Sequence, residues 1–320
     1  MKPYLELLAR IRQEGSWQDN RTGIPTQSIS GASLSFDLQQ GFPAITTRRL
    51  AFKTFMGELC GFLRGADNAA GFRALNCAIW DANANQNQAW LANPYREGRE
   101  DYLGRIYGVQ WRRWRGHKLL PENTPEYDAA LRSGWTVHGT ADDGRKLLCK
   151  SIDQLRECLD KIVYKPTDRR ILFHAWNPAE LDEMALPPCH LLYQFNVNVE
   201  RRELSLCVYQ RSVDAPLGLV GNLAEAAAMT ELFARLTGYK ARRLTWFGSD
   251  VHIYENQLEM VSEQLKREPY ALPRLAVSER IPDYAVSPVY APEWLDRVEP
   301  SDFTLEQYRH HPPLTAPMAV

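Results

Sequence analysis

The second half of this 320-residue chain sets extended segments one after another, and that succession limits its fold more than any other feature. Residues 170–176, 191–199 and 203–209 read as strands that follow each other without an intervening helix. Strands in runs point to an α+β fold, not to regular β–α–β alternation. Residues 28–38 form a further strand, with Leu34, Phe36 and Leu38 on one face and Ser33, Ser35 and Asp37 on the other. Residues 244–247 form a short one. Helical spacing appears at 3–14, through Tyr4, Leu5, Leu8 and Ile11, and again at 52–63, 151–162, 222–236 and 253–268. The segments 83–103 and 115–148 are polar and read as irregular surface insertions. No Gly-, Ser- or Pro-rich linker and no internal repeat divides the chain, so residues 1–320 read as one domain.

Bulk properties narrow the function. A hydrophobic fraction of 44% and a charged fraction of 24% are those of a soluble globular protein. A net charge of −1 gives no global attraction to nucleic acid or an anionic membrane, so any phosphate binding must be local. Six cysteines, at 60, 77, 149, 158, 189 and 207, form no C-x-x-C pair and suggest neither a metal knuckle nor a disulfide framework. With no apolar leader at the start and no run long enough to span a membrane, reduced thiols in a cytoplasm are expected.

Chemistry concentrates in two segments. In Ala185-Leu186-Pro187-Pro188-Cys189-His190, two prolines stiffen the approach to a thiol. Gln210-Arg211-Ser212-Val213-Asp214 offers a guanidinium, a hydroxyl and a carboxylate. A lone cysteine is usually an inert buried residue. A neighbouring cation would make Cys189 a nucleophile, and Arg211 is the candidate. Arg21, Arg169, Arg170 and Arg211 lie at turns or strand boundaries; a surface arginine is usually a solvated charge, but four could converge on one phosphate. Glu58 is the one acid in an apolar helix. Composition favours the solvent-facing edge; burial would instead favour the protonated form and suit it to proton transfer. Asp250-Val251-His252-Ile253-Tyr254 fits either a strand end or a helix start; if extended, His252 and Tyr254 share a face. Trp80 and Tyr107 are either core or the wall of a slot for a flat heterocycle.

Motifs along nearly the whole chain carry a resemblance. They include Asp19–Gly23, Phe42-Pro43, Thr46-Thr47-Arg48-Arg49, Glu58-Leu59, Ile79-Trp80-Asp81, Tyr107-Gly108, Gln110-Trp111-Arg112 and Asp168-Arg169-Arg170-Ile171. Further on come Ala175-Trp176-Asn177, the stretch from Met184 to His190, Gln210-Arg211-Ser212, Asp214, Leu217-Gly218, Asn222, Asp250–Tyr254, His311-Pro312 and the tail from Ala316 to Val320. In this order they resemble the thymidylate synthases and the related pyrimidine nucleotide hydroxymethylases. The resemblance implies one α+β domain around a large β-sheet flanked by helices. It also implies a homodimer with the sheets back to back and shared active sites, dUMP and 5,10-methylenetetrahydrofolate as substrates, no metal, no membrane and no obligate nucleic acid. By that likeness Cys189 would attack C6 of the uracil. Glu58 and Tyr107 would move protons through water. Arg21, Arg211 and Ser212, with Arg169 and Arg170 of a neighbouring subunit, would hold the phosphate. Asn222 would read the uracil edge, and His252 and Tyr254 the sugar hydroxyl. Asp214 would hold the pterin in a slot lined by Ile79, Trp80, Leu186, Gly218 and Gly221. Arg48 would meet the folate tail, and the Val320 carboxylate would help close the site.

The chain also departs from the family pattern. Cys60-Gly61 stands where Leu-Trp is usual, Val220-Gly221 replaces Pro-Phe before Asn222, Asn83 replaces a tryptophan, and Arg105 a proline. Losing aromatic area at Asn83 and Gly221 removes roughly 1–3 kcal/mol of burial at each position and is expected to leave the folate wall loose and wet. A wet wall favours water over hydride as the acceptor step and so a dUMP hydroxymethylase, held just behind thymidylate synthesis. A catalytically silent nucleotide- or RNA-binding homologue is the third reading; intact Cys189, Glu58, Tyr107 and Asn222 argue against it. Asn222, which can donate to O4 and accept from N3–H, favours uracil over cytosine.

Overall fold

The computed structural model describes residues 1–317; the Val320 assignment lies outside them. A six-stranded sheet runs in the order Ser16–Gln18, Thr26–Asp37, Lys240–Tyr254, Glu203–Asp214, His190–Asn198, Leu172–His174. Every pairing is antiparallel except Glu203–Asp214 against Lys240–Tyr254. Those two strands are parallel because the helix Gly218–Thr237 crosses between them. That helix is Ala-rich and buried on nearly all sides, and it stops at Gly238, whose positive φ of 75° closes the last turn onto Ala234 O. The architecture is the expected α+β sheet flanked by helices.

Local chemistry explains the strands. Along Glu203–Asp214, buried Leu204, Leu206, Val208 and Gln210 alternate with Ser205, Cys207 and Tyr209. The helix Gly218–Thr237 packs on the buried face. The opposite face stays open: Tyr209 and Phe247, opposite each other in register, are 40% and 43% exposed.

The structure departs from the sequence expectations at four places. Residues 115–148 are not irregular. Trp114–Leu120, Lys146–Ile152 and Thr136–Thr140 form a separate antiparallel sheet, with the helix Pro125–Arg132 packing Tyr127 and Ala130 onto Leu148. Nor is 83–103 a simple surface excursion. Short helical turns there are capped by Asn87 and Asn93, whose side-chain amides also donate to Ala185 O and Asp182 O. Trp90 is buried and donates to Tyr102 O at 2.7 Å. The strand read at 244–247 extends over Lys240–Tyr254, and the helix expected from 253 starts at Leu258. His252 and Tyr254 therefore sit on an extended segment, sharing a face with ring centroids 5.1 Å apart.

The expected gap at Gly221 is filled. A Cβ there would lie 2.1 Å from the ring of Phe55, which comes across from the helix Phe52–Leu63. Gly61 is filled in the same way by Phe72. The ring absent at 221 is thus supplied by the neighbouring helix, which fills the space expected to stand open there. Arg105, in place of a proline, is buried in an ion pair with Glu180 and donates to Arg113 O.

Adding a methyl at this contact forces the two helices apart. Gly221→Ala is expected to lower stability by about 1–3 kcal/mol, read by urea denaturation, and Phe55→Leu in the same chain should recover part of the loss.

Candidate active site

The strand end at Asp214 and the start of the helix Gly218–Thr237 meet at the floor of a cavity of about 800 Å³. Asp214 makes the turn itself: Oδ1 accepts from Leu217 N–H at 2.9 Å, and Oδ2 accepts from Gln257 at 2.7 Å. Burial raises the pKa of this carboxyl, which those two donors partly offset. Of the residues singled out from sequence, Arg21, Glu58, Ile79, Trp80, Tyr107, Leu186, Cys189, Ser212, Asp214, Gly218 and Asn222 line this one cavity.

Cys189 stands immediately before the strand His190–Asn198. A β-bulge there, His190 facing Gln210 and Leu192 facing Tyr209, leaves one extra residue that turns the chain. Three contacts fix the thiol. Arg211 N–H donates to Cys189 O at 2.9 Å, and the Cys189 N–H donates to the Tyr107 hydroxyl oxygen at 2.7 Å. The Arg211 guanidinium lies 3.7 Å from Sγ and also donates to Pro188 O and Pro187 O. Its positive charge therefore faces the sulfur, as a thiol nucleophile requires. Burial pushes the thiols of Cys60, Cys77, Cys158 and Cys207 up, against thiolate formation.

Glu58 is not on a solvent-facing edge. It is 7% exposed, accepts from Trp80 Nε1 at 2.8 Å, and burial raises its pKa. The helix buries Met56 through Leu63 without a break, which composition could not reveal. Tyr107 is buried and pushed well above its ordinary pKa, first by burial and then by the charge of Cys189. With its oxygen engaged by the Cys189 amide, its own proton remains to be donated. His190, buried and bonded to Tyr193, is driven down to about 3 and stays neutral.

His252 and Tyr254 do not line the cavity themselves. His252 lies 3.2 Å from Asp250 Oδ2, which also accepts from Ser212 at 3.1 Å, so the three form one polar rim. Asp250 is the hub of that rim. Burial alone would raise its carboxyl, but His252, Ser28 and Ser212 together lower it to about 2. Arg169 and Arg170 lie away from the cavity of their own chain: both are exposed, the Arg170 side chain to 84%, and Arg170 pairs with Asp168. Arg48 lines a neighbouring cavity of about 880 Å³ with Arg49, Lys53 and Phe55, and Ile79 borders both. Asn83 and Trp90 face the first cavity. Sequence reading missed Glu225, an acid within the buried Ala-rich helix; the question asked of Glu58 would have found it. Among the described residues, no cluster of His, Cys, Asp or Glu could hold a metal, and no helix is long and apolar enough to cross a membrane.

The fold and this cavity define an α+β protein with a held thiol in a cleft and a buried acid and tyrosine beside it. The family model described as "Thymidylate synthase" matches residues 2–320. Proteins named thymidylate synthase from Bordetella parapertussis and Pseudomonas putida are 58% and 56% identical over 324 residues, covering all of both chains. The chain belongs to the thymidylate synthase family.

Asp250 titrates lower folded than unfolded. Its contribution to stability is therefore complete above the ordinary carboxylate range and is lost as pH falls toward about 2. Asp250→Asn should flatten the acid arm of a Tm-against-pH curve while leaving its alkaline arm in place.

Proposed function

We propose that the chain makes dTMP from dUMP, taking a one-carbon unit and a hydride from 5,10-methylenetetrahydrofolate, as the names of its relatives indicate. The observation that carries this reading is the thiol of Cys189, held by Arg211 and Tyr107 in one cavity with Glu58, Trp80 and Asn222. The folate supplies the methylene carbon and the hydride that reduces it. Cys189 adds to C6 of the uracil and turns C5 into a nucleophile. Asn222 holds the base: its Oδ1 accepts from Gln210 at 2.9 Å, and its Nδ2 donates toward Glu225 at 3.3 Å. One acceptor site and one N–H remain for the uracil edge. Glu58, buried beside Trp80, serves O4 through water, and Tyr107 serves the proton at C5.

Trp80, Ile79 and Leu186 give a flat apolar slot for the pterin, and Asp214 gives it a carboxyl. Arg48, Arg49 and Lys53 in the adjoining cavity suit the acidic tail of the same folate. Hydroxymethylation has lost part of its support, because Phe55 closes the wall at Gly221.

The assembly proposed is a homodimer in a cytoplasm. The open sheet face with Tyr209 and Phe247 is where a second sheet packs. Arg169 and Arg170, unused in their own cavity, complete the partner's phosphate grip beside Arg21, Arg211 and Ser212.

Two experiments test this. Incubation with dUMP and methylenetetrahydrofolate should give dTMP by mass spectrometry, with dihydrofolate absorbance rising in step; 5-hydroxymethyl-dUMP without dihydrofolate would contradict it. Separately, Cys189→Ser chains and Arg169→Ala/Arg170→Ala chains, each inactive alone, should regain about a quarter of wild-type activity on mixing, since half the random dimers carry one complete site. No recovery from subunits shown to exchange would contradict the shared site.

A further inference from the structure

Behind the cavity wall, outside every role assigned so far, lies a second buried carboxyl. Glu225 is 3% exposed and does not line the cavity. Its position follows from the helix contact already described. Gly221 lets the ring of Phe55 approach closely. One turn further along each helix, Glu58 follows Phe55 by three residues and Glu225 follows Gly221 by four, so both acids return to the same interface.

The hydrogen bonding around the pair is one-sided. Trp80 Nε1 donates to Glu58 Oε1, and Asn222 Nδ2 donates to Glu225 Oε2. Glu225 Oε1 is buried, and no donor among the described residues reaches it. The titratable groups facing the two carboxyls from the surrounding elements are Tyr107, Tyr193 and Cys77, none a cation. Two carboxylates this deep in an apolar interface cannot both ionise, so one must carry a proton. Burial raises both carboxyls, and the charge of Glu58 adds to the rise at Glu225. Glu58 lines the cavity and has the Trp80 donor, whereas Glu225 Oε1 is sealed behind the wall without one, so the proton is assigned to Glu225.

We propose that Glu225 is a positioning residue for the reaction: a neutral carboxylic acid that donates through its free oxygen to Glu58 and accepts from Asn222, so that one side chain aligns both the proton-transfer acid and the base-reading amide. The wall then forms a continuous chain of donors and acceptors. Trp246 donates to Gln210, Gln210 to Asn222, Asn222 to Glu225, and Trp80 to Glu58; the proton on Glu225 supplies the remaining link, to Glu58. This inference rests on the proposed synthesis of dTMP only for its kinetic consequences. The protonation of Glu225 stands independently of it.

The test compares the wild-type enzyme with Glu225→Gln and Glu225→Ala. Infrared difference spectra of wild type minus Glu225→Gln at neutral pH should show the C=O stretch of a buried protonated carboxyl. Absence of that band overturns the proposal whether or not the enzyme makes dTMP. In turnover, Glu225→Gln keeps a donor and an acceptor of the same shape and should stay within about threefold of the wild-type kcat, with its acid limb in place. Glu225→Ala should lose on the order of tenfold or more in kcat. Its acid limb should move to higher pH, because Glu58 has lost the donor that favours its charged form. An alanine variant that melts earlier but keeps the wild-type kcat and pH profile would show a packing role alone and overturn the proposal. So would a glutamine variant as impaired as alanine. Wild-type enzyme that forms no dTMP, with the infrared band present, would instead count against the functional reading.

Discussion

The guanidinium of Arg211 is the contact on which the rest of the site depends. It ties the Pro187–Pro188 approach, by two carbonyls, to the strand that carries Ser212 and Asp214, and it rests 3.7 Å from the Cys189 sulfur. One side chain thus fixes the loop and places a charge on the thiol. The strand pairing reinforces it, since Arg211 N–H bonds Cys189 O at the bulge. The crossover helix then delivers Asn222 to the same floor through the turn at Asp214. Backbone topology brings residues at 58, 107, 189, 214 and 222 around a single cavity, and no one segment of sequence contains that arrangement.

A second constraint is the closeness of two helices. Gly221 has no side chain, and Phe55 occupies the space it leaves. Phe55 keeps an aromatic ring at that position and packs closely between Phe52–Leu63 and Gly218–Thr237. The chain that carries Val220-Gly221 before Asn222 also buries two acids one turn further along these helices. In this view the glycine and Glu225 belong to one packing solution.

Much of this was legible in the residues. Paired prolines before a thiol, the polar run after Gln210 and the order of motifs identified the site and the α+β class. What stayed hidden was tertiary. The apolar run around Glu58 has the same composition whether its acid faces water or a carboxyl on another helix. The gap at Gly221 could be seen as closed only by placing Phe55 beside it. The strand Lys240–Tyr254 was read short because Lys240, Arg242 and Arg243 interrupt its apolar pattern, and pairing with Thr26–Asp37 and Glu203–Asp214 overrides that local signal. The sheet within 115–148 escaped notice because much of its surface faces water, so its alternation is polar on polar.

The proposed reaction turns on a bond between one sulfur and a pyrimidine carbon. The remaining five cysteines are internal controls, since four of them have thiols raised by burial. The direct measurement is peptide mass spectrometry after denaturing quench of enzyme turning over dUMP with methylenetetrahydrofolate. Nucleotide mass on the peptide containing Cys189, and on no other cysteine, is the predicted result. A nucleotide carried by Cys149 or Cys207, or turnover with no adduct trapped at position 189, would contradict it.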